Sequence, residues 1–101
     1  MTTILAVGDI ILDEPEPEPD SFFEPSRHVL TGGDVVIGHV EVPHSTTTAQ
    51  SSTDVPAPPA DPEALGALAR AGFHAVTLAG NHIADAGPEG VLDTVRHARR
   101  H

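Results

Sequence analysis

The chain contains no cysteine, no tryptophan and no tyrosine. Disulfides and thiolate metal sites are therefore excluded. Its three aromatic residues are all Phe, so a core must be assembled from Val, Ile, Leu and Ala. Basic residues are also scarce: five Lys and Arg stand against fifteen Asp and Glu, for a formal net charge of −10 at pH 7. Such a surface repels nucleic acid and anionic membranes, and both are set aside as partners. It also suits cation binding. No apolar run approaches the length of a membrane span. The N-terminus lacks the basic region, apolar core and cleavage site of a signal peptide. As written the chain reads as cytoplasmic, or extracytoplasmic if a leader precedes it. Its 101 residues allow one small domain with a modest core.

What is present is organised around Ala75-Val76-Thr77-Leu78-Ala79-Gly80-Asn81-His82-Ile83-Ala84-Asp85-Ala86-Gly87. An apolar, β-forming run predicts a buried strand over Phe73 to Ala79. It breaks at Gly80 and presents Asn81, His82 and Asp85 before a helical pattern begins at Gly87-Pro88-Glu89. That helix carries Val91, Leu92, Val95 and Ala98 on its predicted apolar face, and Arg96, Arg99 and Arg100 near its C-terminal end, where the helix dipole favours cations. Open α/β sheets place their chemistry at the carboxyl ends of such strands.

Two earlier stretches have the same form. Thr3 to Val7 predicts a strand that ends at Gly8-Asp9, with Ile10-Ile11-Leu12 following. Asp34 to Val42 predicts a second strand. Alternation puts Val36, Gly38, Val40 and Val42 on one side and Val35, Ile37, His39 and Glu41 on the other. His39 and Glu41 do not suit an apolar interior unpaired, so either this is the strand's polar end or they share a site.

The intervening segments are of two kinds. Residues 13–25 form an acidic, proline-rich loop, with Phe22 and Phe23 expected to tuck it onto the body. Residues 43–60 are rich in Ser, Thr, Ala and Pro and predict a long loop without strand or helix, functional or mobile. Ser26 to Leu30 predicts a helical turn. A helix is expected after the Asp61 cap, with Pro62 at its first position, Glu63 in its first turn, an apolar stripe of Ala64, Leu65, Leu68 and Ala69, and a stop at Gly72. Strand, helix, strand, helix points to an α/β fold with a parallel sheet.

Parallel strands bring their carboxyl ends to one edge. Asp9, then His39 with Glu41, then Asn81 with His82 and Asp85 are thus candidates for one constellation. Carboxylates, an amide oxygen and an imidazole suit hard or borderline divalent cations. His82 is also suited to donating a hydrogen bond or a proton, with Asp85 orienting its ring.

The blocks Val7-Gly8-Asp9-Ile10, Gly33-Asp34-Val35-Val36-Ile37-Gly38-His39-Val40-Glu41 and Leu78-Ala79-Gly80-Asn81-His82-Ile83-Ala84-Asp85-Ala86-Gly87-Pro88-Glu89-Gly90-Val91-Leu92-Asp93-Thr94 resemble the bacterial capsule-synthesis CapA family, the poly-γ-glutamate branch of the calcineurin-like metallophosphoesterases. The resemblance implies the N-terminal half of an α/β/β/α sandwich, its strands mostly parallel with crossover helices. Residues 1–101 would be the N-terminal part of a single domain. It also implies a site with two divalent ions (Mn, Fe or Zn). By position Asp9 resembles the first metal carboxylate, Glu41 the bridging carboxylate and Asn81 a further ligand. His82 resembles the catalytic histidine and Asp85 its partner. Two positions depart from the pattern. Ile11 stands where the general phosphoesterase pattern has a histidine. His39 stands where the family usually has Asn, which leaves it a metal ligand, a substrate contact or neither. Family members are longer chains whose further metal-binding histidines come from later strands, so the expected partner is the remainder of the domain or a second chain carrying those ligands. The implied activity is hydrolase-like, on a small phosphoester or peptide-like substrate. The alternatives are a metal-dependent peptide epimerase and a non-catalytic subunit of a polyglutamate or capsule synthesis complex.

Overall fold

A computed structural model describes residues 1–13, 18–50 and 58–101. Strand β1 runs Ile4–Ile10, a 3₁₀ helix Pro19–Ser26, and a single α-turn, α1, Arg27–Leu30. Strand β2 follows at Val35–Val40, then a 3₁₀ turn Pro62–Ala64, helix α2 at Leu65–Ala71, strand β3 at Ala75–Thr77 and helix α3 at Gly87–Arg100. The three strands form one parallel sheet in the order β1-β2-β3. This is the α/β fold expected from the alternation of elements.

The sheet is covered on one face. Val36 is 0 % exposed, Val40 is buried, and both pack with Leu5, Ile10, Phe23 and the apolar side of α2. Phe23 does return the proline-rich segment to the body. Its ring stacks edge-on against Phe73 at 5.6 Å, while Phe22 stays exposed. Prolines did not keep all of that segment extended, since Pro19–Ser26 winds into a 3₁₀ helix tied to α2 by Arg70 on Asp20, 2.8 Å. The acidic residues Glu14 and Glu16 lie outside the described residues. Residues of the other face, Ile4 and Ala6 of β1 and Ala75 of β3, are exposed, Ile4 by 63 %.

Strand β1 does not end at Gly8-Asp9. It continues to Ile10 through a register shift between Ala6 and Asp9: Ala6 pairs with Ile37, but Asp9 pairs with His39 and Ile10 with Val40. Two residues of β1, Val7 and Gly8, therefore oppose the single Gly38, which is a β-bulge. Strict alternation would send Asp9 to the covered face with Leu5. The extra residue reverses the parity, so Ile10 enters the core and Asp9 joins His39 on the other face.

The helix signals read correctly at α2. The Asp61 carboxylate accepts the Glu63 N–H at 2.9 Å, and Gly72 ends the helix at φ 106°, a left-handed value that favours glycine. The predicted face of α3 is met only in part: Ala98 packs against the core and Val91 and Val95 are half-buried, but Leu92 is 63 % exposed and the buried positions of the helix are Gly90 and Thr94. The reason is polar. Thr94 Oγ1 accepts the His44 backbone N–H at 2.8 Å and donates to the Gly90 carbonyl at 2.7 Å. The long segment after β2 is accordingly not a free loop at its ends: His44 and Ala60 form a bridge, and Ser45 Oγ donates to Asp93 at 2.7 Å. Residues 51–57 lie outside the described residues. Among those described, no helix is long and apolar enough to cross a membrane.

Candidate metal centre at the strand ends

Asp9, His39 and Glu41 converge. Each offers one ligand atom, and these atoms all lie within 4.8 Å of one another. Asp9 is exposed, His39 half-buried and Glu41 buried, so the cluster grades from solvent inward. Its placement follows from backbone register: the bulge sets Asp9 opposite His39, and β2's alternation sets Glu41 two residues beyond.

Hydrogen bonds fix the imidazole at both nitrogens. Nε2 lies 2.9 Å from Glu41 Oε2, and Nδ1 lies 2.8 Å from Thr77 Oγ1. Thr77 is the residue of β3 paired with His39. In the neutral ring with Nε2–H donating to Glu41, the Thr77 hydroxyl donates to Nδ1. When Nε2 is needed as an electron-pair donor, the proton moves to Nδ1 and Thr77 becomes the acceptor. A hydroxyl can play both parts, so the ring keeps its orientation in either tautomer.

Gly80 closes the site from the β3–α3 turn. A Cβ built there would stand 2.6 Å from His39 Nε2 and 3.2 Å from Glu41 Oε2. Only a residue without a side chain lets this backbone approach so closely. Thr77 and Gly80 were missed as site residues because neither carries a charge and the register that sets Thr77 against His39 is non-local.

Asn81 follows Gly80 directly and is exposed. His82 and Asp85 form a separate pair: Nδ1 of His82 lies 2.7 Å from Asp85 Oδ2, within the turn that leads to α3. That bond places the ring proton on Nδ1 and leaves Nε2 as the basic nitrogen of the neutral form. The six predicted residues are thus one triad, one His–Asp pair, and Asn81 on the loop between them.

Residues 3–101 match the family model described as bacterial capsule synthesis protein PGA_cap. The chain belongs to that family, in agreement with the resemblance carried by its three sequence blocks. No curated protein matches it.

Proposed function

We propose that this chain supplies a divalent-metal centre to a capsule-synthesis enzyme with metallophosphoesterase-type hydrolytic chemistry on a small phosphoester or peptide-like substrate. The observation that carries this reading is the convergence of Asp9, His39 and Glu41 under the side-chain-free Gly80. Two carboxylates and an imidazole are the donor set that Mn²⁺, Fe²⁺ or Zn²⁺ takes, and the cradle that a Cβ would fill is the room such an ion needs. Asp9, His39 and Glu41 would hold the ion, with the Asn81 amide oxygen as a further donor. A bound divalent ion polarises the oxygen of a phosphoryl or carbonyl group and acidifies water. His82, oriented by Asp85, would move the proton: Nε2 takes it from the attacking water and passes it to the leaving oxygen.

Three or four donors suit one ion. For a pair of ions the remaining ligands would come from a further segment of the polypeptide or from a second chain. The uncovered sheet face beside the cluster, with Ile4 and Ala75 exposed, is where such a segment would pack.

A second reading, a non-catalytic scaffold in the same assembly, draws on the 2.9 Å contact of His39 with Glu41, which satisfies both groups without an ion. Metal analysis and hydrolysis of bis-p-nitrophenyl phosphate by the native assembly separate the two. The enzyme reading expects that Asp9→Asn and Glu41→Gln each lower the bound Mn, Fe or Zn relative to the unsubstituted protein and abolish activity with it. A metal content undiminished in both variants, or activity independent of both, would contradict it.

A further inference from the structure

A second group of ligating side chains lies elsewhere in the molecule. Glu63 comes from the 3₁₀ turn that precedes α2; His97 comes from the last turn of α3 and His101 caps its C-terminus. Their ligand atoms also lie within 4.8 Å of one another. The helical hydrogen bond continues from His97 O to His101 N–H at 3.2 Å, so the two imidazoles stand one turn apart on one face. Glu63 divides its two oxygens. Oε1 receives the Arg100 guanidinium, whereas Oε2 faces His101 Nε2 at 3.6 Å, too far for a hydrogen bond.

Two nitrogens here are buried without hydrogen-bond partners among the described residues: His97 Nδ1 and His44 Nε2. His44 is 1 % exposed. Burial holds its imidazole below the ordinary value, opposed by the Val42 carbonyl and Asp61 and reinforced by His97. A buried nitrogen without a partner is uncommon and calls for an explanation such as an ion or a water.

We infer that Glu63, His97 and His101 form a second metal site, selective for a borderline transition ion such as Zn²⁺. Two imidazoles and one carboxylate leave a fourth tetrahedral position for water. Bond lengths of about 2.0–2.2 Å put ligand atoms around tetrahedral zinc roughly 3.4 Å apart. The group as it stands needs only a modest closure to reach that spacing. The bound ion would clip the end of α3 to the start of α2, two elements otherwise joined there by the exposed Arg100–Glu63 pair. Nitrogen-rich donors separate this site from the carboxylate-rich strand-end cluster, and the inference is independent of that cluster's function.

The test is calorimetric titration of Zn²⁺ into the full chain carrying Asp9→Asn and Glu41→Gln, with and without His101→Ala or Glu63→Gln. One equivalent should bind, and each added substitution should weaken it at least tenfold, while His28→Ala, at an exposed histidine on α1, changes nothing. In the chain with its strand ends unaltered, His101→Ala should lower the bound zinc by one equivalent. Both substitutions sit at exposed positions, so folding is retained, and far-ultraviolet circular dichroism verifies it. Zinc affinity and stoichiometry unchanged by His101→Ala and Glu63→Gln would overturn the assignment, as would the absence of any zinc binding by the doubly substituted chain.

Discussion

The Asp9–His39–Glu41 and Glu63–His97–His101 clusters gather similar donors by different means. At the strand ends every side chain is placed by sheet register. A bulge in β1 turns Asp9 toward His39, β3 brings Thr77 onto the ring, and Gly80 seals the cluster. At the end of α3 two histidines share one helical face, and the carboxylate arrives from a distant turn held by Asp61. Strand-end donors are therefore preorganised, with both ring nitrogens of His39 engaged. The helix cluster is looser, with one ring nitrogen of His97 buried and without a hydrogen-bond partner among the described residues. Preorganisation of ligands by neighbouring hydrogen bonds is what separates tight sites from weak ones.

Substitutions can break that comparison at several strengths. The largest effect is expected from Ile10→Asp. The bulge sends Ile10 into the core, where it is buried, so a carboxylate in its place faces apolar packing and costs on the order of several kcal/mol. Urea denaturation should show the loss, and metal binding at the strand ends should vanish with it. Gly80→Ala comes next. A methyl 2.6 Å from His39 Nε2 must displace a ring held at both nitrogens, for about 1–3 kcal/mol of stability. It should also weaken metal at the strand ends while leaving zinc at the helix cluster unchanged.

Thr77→Val is the finer probe. It keeps the shape and removes the partner of His39 Nδ1. Metal affinity should fall roughly 10–100-fold, with stability changed by about 1 kcal/mol. In the unsubstituted protein, ¹⁵N chemical shifts of His39 should report a tautomer change on metal loading, from proton on Nε2 to proton on Nδ1. An unchanged tautomer would mean that Nε2 never becomes a ligand.

The smallest effect is a pH dependence near the helix cluster. The folded state binds a proton on His44 less readily than the unfolded chain, because burial disfavours the charged ring. Between the lowered folded value and the unfolded value of 6.5 the unfolded state holds more protons, so stability is full above that window and falls as the pH drops through it. Denaturation midpoints measured from pH 8 down to pH 5, in wild type and in His44→Gln, should show a shallower decline in the variant.

How much was legible beforehand follows from the same contrast. Asp9, His39, Glu41, Asn81, His82 and Asp85 were visible because each stands at or just beyond an apolar run, where a parallel sheet gathers its ends. The bulge was not. Nothing local in Val7-Gly8-Asp9 distinguishes a strand that ends from one that slips by a residue and continues to Ile10. Thr77 and Gly80 matter through contacts made across the sheet, which no local pattern encodes. On α3, the stripe of Val91, Leu92, Val95 and Ala98 located the seat only in part, with Ala98 on the core and Leu92 exposed, because Thr94 satisfies the His44 backbone and turns the helix toward that bond. His44 itself lay in a segment whose composition suggested only a loop. Glu63, His97 and His101 escaped because a helix cap and a helix end signal structure, and only the folded chain brings them together.

The central claim is that the strand ends hold a divalent ion on Asp9, His39 and Glu41. Its most direct test is an Mn²⁺ titration followed by electron paramagnetic resonance, comparing wild type with Asp9→Asn and Glu41→Gln. Manganese favours oxygen donors and so discriminates against the two-histidine helix cluster. Free-ion signal should be depleted by the wild-type chain and restored in both variants, by roughly a hundredfold loss of affinity or more. Equal binding by folded wild type and both variants, or no binding by any of them, would contradict the account.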